Sequence, residues 1–231
     1  MKKSSVILTL VIAIAGFIAA GYFYDQTQQQ TTLEKAQKVA IEAAANAENN
    51  PLVRPHSPIL GRVDAPVTIV EFLDPSCESC RAAFPFVHEI LKKYPDDVRL
   101  VIRYAPFHQG SDVAVGILEA ARKQNMFEKV LSALFDQQPL WAAHHAPDLN
   151  RAWDIARANG LDLEQAKVDA ASPDVAKILQ QDLADIQTNG VRATPTFFVN
   201  GKPVLEFGAE PLNNMVADEV QKLRSASSAA P

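Results

Sequence analysis

The stretch VTIVEFLDPSCESC, residues 67–80, decides the fold. Together with the preceding Ala-Pro, its β-branched and aromatic first half predicts a buried central strand over residues 65–73. The second half contains a Cys-x-x-Cys motif, Cys77 to Cys80, and the amphipathic segment that follows, as far as Lys93, predicts a helix. The motif is therefore expected at a junction between a strand and a helix.

Cys77 and Cys80 are the two cysteines of this 231-residue sequence. Cys77 is predicted at the helix N-terminus, where unpaired backbone N–H groups and the helix dipole lower the pKa of a thiol and produce a nucleophilic thiolate. Cys80, one turn further on, is placed to attack a mixed disulfide formed at Cys77. Two sulfurs cannot complete a four-ligand zinc site, so the pair indicates redox chemistry or, as an alternative, capture of Cu(I).

The sequence resembles the DsbA-like thiol–disulfide oxidoreductases of the thioredoxin superfamily. The resemblance is carried by residues 67–80 and by GVRATPTFFVNGKPV, residues 190–204, and it extends over residues 61–223. It implies an α/β, thioredoxin-like fold with an inserted all-helical subdomain and an enzyme that exchanges disulfides with proteins. The Cys77–Cys80 redox pair then serves in place of a dissociable cofactor or metal.

The resemblance also assigns three further site residues. Thr194 and Pro195 match the position of a cis-proline opposite the cysteines, where the backbone of residue 194 meets an extended client peptide. Glu71 matches a buried acid beneath the cysteines, which can shuttle the proton of the Cys80 thiol. The alternative for Glu71 is a side chain that faces solvent in alternation with its neighbours in the strand.

Glu78 and Ser79, between the two cysteines, are expected to tune the redox potential. A carboxylate beside a thiolate disfavours it, so Glu78 is expected to raise the pKa of Cys77, while a hydrogen bond from Ser79 to sulfur offsets part of this effect. A less stable thiolate makes the disulfide less oxidising. We therefore expect a milder oxidant than a dedicated disulfide donor, with oxidase, isomerase and reductase activity all left open.

The region between the two matching stretches contains apolar residues at helical spacing and no strand-like run. It predicts a helical insertion over residues 112–187, whose first helix is capped by Ser111. The resemblance implies that this insertion roofs the active site. His108, just before it, faces either the active site or solvent, and the His144-His145 pair is interpreted as part of a surface loop rather than a metal site.

The N-terminus predicts export of the chain. Residues 6–24 are uncharged and apolar, and about nineteen helical residues span ~28 Å, close to the ~30 Å hydrocarbon core of a bilayer. The lysines within residues 1–5 place that end in the cytoplasm and make the run a single-pass inner-membrane anchor. A cleaved signal peptide is the alternative. The membrane anchor and the signal peptide both place the rest of the chain in the periplasm or at the cell exterior, which is an oxidising compartment.

Two further segments complete the predicted organisation. Residues 25–60 are expected to form a tether, helical at first and then an extended, proline-containing connector. The spacing of apolar residues within 31–49 permits a coiled coil and hence an oligomer, although its alanine-rich seam favours a single solvated helix. Residues 224–231 are expected to be a disordered tail.

The composition limits the class of partners. A net charge of −5 without any dense Lys/Arg run argues against a nucleic-acid-binding protein. The expected partners are client proteins with cysteines and a membrane redox protein that recycles the cysteine pair. A Cu(I)-binding thioredoxin-like protein is the second hypothesis, and a scaffold without chemistry is a third, which the retained cysteines and Thr-Pro disfavour.

Overall fold

The computed structural model describes residues 50–228. Four predicted segments lie outside these residues: the cytoplasmic end (1–5), the membrane segment (6–24), the helical part of the tether (25–49) and the oligomerisation stretch (31–49). Within the described part of the chain, no helix has both the length and the apolar character needed to cross a membrane.

Five strands and eight helices are formed between residues 50 and 228. The strands are β1 (Ile59–Gly61), β2 (Val67–Leu73), β3 (Val98–Tyr104), β4 (Thr196–Val199) and β5 (Lys202–Pro203). The helices are α1 (Glu78–Lys93), α2 (Ser111–Lys123), α3 (Phe127–Asp136), α4 (Gln138–Trp141), α5 (Leu149–Ala158), α6 (Leu163–Ala170), α7 (Pro173–Thr188) and α8 (Ala209–Ser228).

The strands form one mixed sheet in the order β1-β3-β2-β4-β5. The central strands β2 and β3 are parallel, whereas β1 and β4 pair antiparallel on either side of them. The predicted buried central strand is therefore confirmed, and the α/β thioredoxin-like fold with it. Because β2 leads directly into α1, the Cys-x-x-Cys motif lies at the C-terminal edge of the central strand.

Both faces of β2 are covered. Ile69 and Leu73 belong to the larger core, which also contains the two cysteines. Val70 and Phe72 point the other way, into a second core that includes Ile186 of α7. Alternation along the strand gives residue 71 the same face as residues 69 and 73, on the side of the cysteines.

The insertion is helical, as predicted, and runs from α2 to α7 with the additional short helix α4. Ser111 does not cap α2, because it is already the first helical residue and Gly110, with φ 81°, precedes it. The Ser111 hydroxyl donates instead to the carboxylate of Asp74, beside the cysteine motif. The start of the insertion is thus tied to the end of β2.

The predicted boundaries of the domain need two corrections. Residues 51–60 are not a free connector, because β1 pairs with β3 and the Pro51 carbonyl accepts a 2.7 Å hydrogen bond from Arg103. The predicted tail is also helical in its first part, since α8 extends to Ser228. Sequence periodicity missed β1 because a three-residue strand is too short to show alternation.

A buried ion cluster holds α7 against the sheet. The Arg103 side chain is fully buried, and its Nη2 lies 2.7 Å from Asp182 Oδ1 and 2.6 Å from Asp185 Oδ2. Asp182 also accepts a hydrogen bond from the Tyr104 backbone N–H. Arg54, from the segment before β1, forms a second ion pair with Asp185 at 2.6 Å. These contacts join three distant parts of the chain.

Replacing Asp182 by Ala is expected to lower the free energy of unfolding by ~3–5 kcal/mol, because it leaves the buried Arg103 guanidinium without one of its carboxylates. Asp174→Ala, in the same helix, is the matched control: Asp174 pairs with Lys177 at 3.3 Å, with both side chains about three-quarters exposed. Its loss is expected to stay within ~1 kcal/mol. Urea unfolding measures both values, and equal losses would contradict the buried cluster.

Candidate active site

Cys77 occupies the N-cap position of α1, and its backbone N–H donates to the Asp74 carbonyl at 3.1 Å. In its protonated form, its thiol donates to the backbone oxygen of Thr194, 3.2 Å away. The structure therefore brings together Cys77 and Thr194, which are 117 residues apart in the sequence. The helix N-terminus places the sulfur where an anion is stabilised.

The environment of Cys77 favours its thiolate. A hydrogen bond from the Cys80 thiol is the main cause that lowers the pKa of Cys77 to about 5, against the opposing effect of burial. Hydrogen bonds from the Thr194 side chain and from the backbone N–H groups of Cys80 and Ser79 act in the same direction. Cys77 is thus a thiolate at neutral pH, as its helix position predicts.

Cys80 has the opposite environment. It is fully buried, and burial raises the pKa of its thiol well above the ordinary value. The hydrogen bond to Cys77 and the charges of Glu71 and Cys77 raise it further, while a 3.4 Å hydrogen bond from the Asp74 backbone N–H opposes them. One thiol of the motif is therefore activated and the other is held protonated.

Glu71 lies on the cysteine side of the sheet with 2% of its surface exposed. Burial, with a smaller contribution from the charge of Cys77, raises the pKa of its carboxyl to about 8. Its Oε1 has no hydrogen-bond partner in the described part of the chain. The solvent-facing alternative is wrong, because α1 and the core cover this face of β2.

Thr194 and Pro195 are joined by a cis peptide bond, as the resemblance implied. They immediately precede β4, in which Thr196 pairs with Phe72 and Phe197 pairs with Glu71 of β2. This register brings the cis bond to the same end of the sheet as the cysteine motif.

Glu78 and Ser79 are both exposed at the first turn of α1. The Glu78 Oε1 lies 2.8 Å from His144 Nε2, in the loop between α4 and α5. Its own backbone N–H is the main cause that lowers the pKa of Glu78, and the contact with His144 adds to it. The expected mild potential stays a prediction, although the pKa of Cys77 is lowered to about 5 with Glu78 as its neighbour.

Two residues that the sequence did not single out support the motif. Asp74 is fully buried and accepts hydrogen bonds from the Ser76 N–H at 2.8 Å and from His108 Nδ1 at 2.7 Å. Gln138 of α4 is also buried, and its Nε2 donates to the carbonyls of Pro75 and Cys77 at 2.9 and 3.0 Å. The contact of Asp74 with Ser76 is local, but those with His108 and from Gln138 join residues far apart in the sequence, so no spacing rule could have revealed them.

Metal-binding groups are not clustered here. Within residues 50–228, no three side chains of His, Cys, Asp or Glu are grouped so that they could hold a metal ion. His144 and His145 lie in an exposed loop, with their rings 6.4 Å apart. His144 contacts Glu78 and His108 instead of forming a set of ligands.

Comparison with known proteins gives the class. Residues 54–219 match the protein family described as Thioredoxin. The chain therefore belongs to the thioredoxin family. A curated relative, the Na(+)/H(+) antiporter NhaA of Herminiimonas arsenicoxydans, is 35% identical over 144 residues, which is 62% of this chain. The chain spans only about a quarter of the length of such antiporter relatives, 22% in this case.

Solved structures agree with this assignment. A thioredoxin-like oxidoreductase from Silicibacter pomeroyi DSS-3 is 33% identical, with a TM-score of 0.63 over 73% of this chain and 94% of that protein. Oxidised BdbD from Bacillus subtilis is 28% identical, with a TM-score of 0.62 over 71% of this chain and 93% of BdbD. The fold is also that of alpha-DsbA1 from Wolbachia pipientis. The chain is an oxidoreductase with DsbA-like structural neighbours.

In the reduced protein, iodoacetamide is expected to modify Cys77 and to spare Cys80. Because the pKa of Cys77 is about 5, the rate should rise between about pH 4 and 6 and stay level above that. Peptide mapping by mass spectrometry identifies the modified cysteine. Similar labelling of both cysteines, or a rate that still climbs between about pH 7 and 9, would contradict the assigned difference between the thiols.

Glu71→Gln is expected to change how stability depends on pH. Glu71 keeps its proton up to about pH 8 in the folded protein but ionises near 4.5 when unfolded, so folding stability falls as pH rises through that window. The variant lacks this loss and should exceed wild type by several kcal/mol near pH 8.5 and by little near pH 4.5, since one pKa unit is ~1.4 kcal/mol.

Urea unfolding across this pH range measures the effect. The exposed acid Glu164 provides the control, because Glu164→Gln should follow the wild-type curve. Parallel curves for Glu71→Gln and wild type would show that the carboxyl of Glu71 is ionised in the folded protein.

Proposed function

We propose that the chain is an exported, membrane-anchored thiol–disulfide oxidoreductase that donates the Cys77–Cys80 disulfide to cysteine-containing client proteins. The observation that carries this proposal is the contrast between the two thiols, with the pKa of Cys77 lowered to about 5 and that of the buried Cys80 raised. A stabilised thiolate favours the reduced form of the pair. A pair that prefers to be reduced is an oxidant toward its clients.

The exchange proceeds in two steps. A client thiolate attacks Cys77 Sγ in the disulfide, the Cys77–Cys80 bond breaks, and Cys80 leaves with the bonding electron pair and takes up a proton. A second client thiolate then attacks the client sulfur of the mixed disulfide and releases Cys77 as a thiolate. The client gains a disulfide, and the protein gains the two electrons as a dithiol.

The surrounding residues fit these steps. Glu71 retains a proton up to about pH 8 and lies on the Cys80 side of the sheet, so it supplies the proton that the leaving Cys80 thiolate needs. The Thr194 backbone oxygen lies 3.2 Å from Cys77 Sγ, which supports a client backbone bound against Thr194 and the adjoining Pro195. In this proposal Glu71 is the proton donor, and Thr194 with Pro195 binds the client.

Exposed apolar side chains between β5 and α8 support a protein or peptide client. Leu205 and Phe207, between β5 and α8, are 90% and 58% exposed. The Phe86 ring of α1 lies 6.3 Å from the Phe207 ring and 6.4 Å from that of Phe197, which follows the cis-proline by two residues. Exposed apolar patches of this kind mark binding surfaces for proteins.

Export and anchoring rest on the apolar run at residues 6–24. A disulfide donor leaves each cycle as a dithiol, so a redox protein in the same membrane must reoxidise Cys77 and Cys80. The antiporter relatives suggest one client: each contains a stretch similar to this chain, so a sodium/proton antiporter in that membrane is a candidate.

The test uses the full chain in detergent and a synthetic peptide with two cysteines. The oxidised wild-type protein is expected to convert the reduced peptide into its disulfide. Cys80→Ser, loaded at Cys77 with a single-cysteine form of the peptide, should retain a stable mixed disulfide, because neither Cys80 nor a second peptide thiol is present to attack it. Cys77→Ser is the control and should form none at position 77.

Non-reducing electrophoresis and mass spectrometry detect these species. Absence of the mixed disulfide with Cys80→Ser would contradict the proposal. Tight Cu(I) capture by wild type without any peptide oxidation would favour the metal-handling alternative instead.

A further inference from the structure

A polar cluster beside the cysteines has no part in the exchange steps described above. It consists of Asp74 at the end of β2, Glu78 at the start of α1, His108 in the loop between β3 and α2, and His144 in the loop between α4 and α5. Its centre is the fully buried carboxylate of Asp74. Such a buried group is stable only when its oxygens are well supplied with hydrogen-bond donors.

The Asp74 carboxylate draws its donors from the loop that carries His108. Its Oδ2 accepts from the backbone N–H groups of Phe107 and His108, at 2.8 and 2.9 Å, and from His108 Nδ1 at 2.7 Å. Because a carboxylate only accepts, Nδ1 of the imidazole carries the proton. The histidine is thereby fixed in one tautomer and one orientation.

Asp74 also holds both cysteines through its backbone. Its carbonyl accepts from the Cys77 N–H at 3.1 Å, and its N–H donates to Cys80 Sγ at 3.4 Å. The loop bearing His108 and the cysteine motif are therefore two sides of a single hydrogen-bonded unit, and His108 has a fixed position relative to Cys77.

The groups that face His108 are mostly anionic. Partial burial opposes its protonation, but the hydrogen bond from His108 to Asp74 and the negative charges of Asp74, Cys77 and Glu78 outweigh it and raise the pKa of His108. His144, with its ring 5.4 Å from that of His108, contacts the Glu78 carboxylate. An imidazolium at position 108 therefore has the Cys77 thiolate among its counter-charges.

We propose that His108, oriented by Asp74, is a positioning residue that presents a positive charge to the Cys77 thiolate and so stabilises the reduced enzyme. The two residues between the cysteines, Glu78 and Ser79, supply no cation. The cation comes instead from a loop that is adjacent to the motif only in the folded protein. This inference rests on the proposed disulfide-donor function and names the residue that sets its strength.

The proposal has a defined pH dependence. The stabilisation is present where Cys77 is a thiolate and His108 is protonated, that is, above the Cys77 pKa of about 5 and below the pKa of His108. It disappears as the pH rises through the pKa of His108, because the neutral imidazole no longer offsets the thiolate charge. The disulfide should therefore oxidise clients more strongly, relative to a His108 variant, on the acidic side of that transition. At high pH the two proteins should converge.

The experiment compares His108→Asn with wild type. Asn keeps a donor close to the position of Nδ1 and so can still bond Asp74, but it carries no charge. Absorbance of the thiolate near 240 nm gives the pKa of Cys77 in the reduced protein, and equilibration with glutathione gives the equilibrium constant of the pair. In His108→Asn we expect the proton affinity of the Cys77 thiolate to rise by about tenfold. The equilibrium constant for reduction of the Cys77–Cys80 disulfide by glutathione should fall by up to about tenfold, equivalent to ~30 mV.

Two further variants make the result specific. His108→Lys retains a cation and is expected to keep the pKa of Cys77 close to that of wild type. His145→Asn removes an exposed histidine from the neighbouring loop and should leave both quantities unchanged. Circular dichroism establishes that each variant is folded.

The outcomes separate this inference from the proposed function. Equal pKa values of Cys77 in His108→Asn and wild type, or equal shifts in His108→Asn and His108→Lys, would overturn the role of the charge. A strongly reducing wild-type pair would instead overturn the disulfide-donor function, even if the difference between the variants persisted.

Discussion

The activity depends on one constraint: two thiols a single helical turn apart must have opposite electrostatic environments. Cys77 lies at the N-terminus of α1, where backbone N–H groups and a neighbouring thiol stabilise its thiolate. Cys80 is buried in the core, where charge is costly, and it keeps its proton. The fold maintains this difference, because β2 delivers the motif to the sheet edge, where Cys77 keeps 6% of its surface exposed while Cys80 is fully enclosed by the core.

The same burial that protects Cys80 makes Glu71 a proton reservoir. A carboxyl on the covered face of a central strand lowers stability at neutral and higher pH, since its ionised form is poorly solvated. Glu71 therefore lowers the stability of the fold but provides a proton donor for the Cys80 thiol in the proposed exchange. The helical insertion also supports the motif, because Gln138 donates hydrogen bonds to the carbonyls of Pro75 and Cys77.

Much of this could be predicted from the sequence, because the strand, the motif and the helix are contiguous. The face of Glu71 could not be decided from alternation, since α7, more than a hundred residues away, covers the opposite side of β2. The sequence predicts a connector before Gly61, because neither β1 nor the ion pair of Arg54 has a local pattern. The contacts of His108 and His144 with the motif likewise depend on how the loops meet in the folded chain.

The reduction potential of the Cys77–Cys80 pair in the full wild-type chain tests the central claim most directly. Equilibration in glutathione buffers, followed by quantification of the dithiol and disulfide forms, gives this value. A stabilised Cys77 thiolate predicts a potential above roughly −200 mV, within the range of disulfide donors and isomerases. A potential near −270 mV, roughly that of a reductase of the thioredoxin type, would contradict the account.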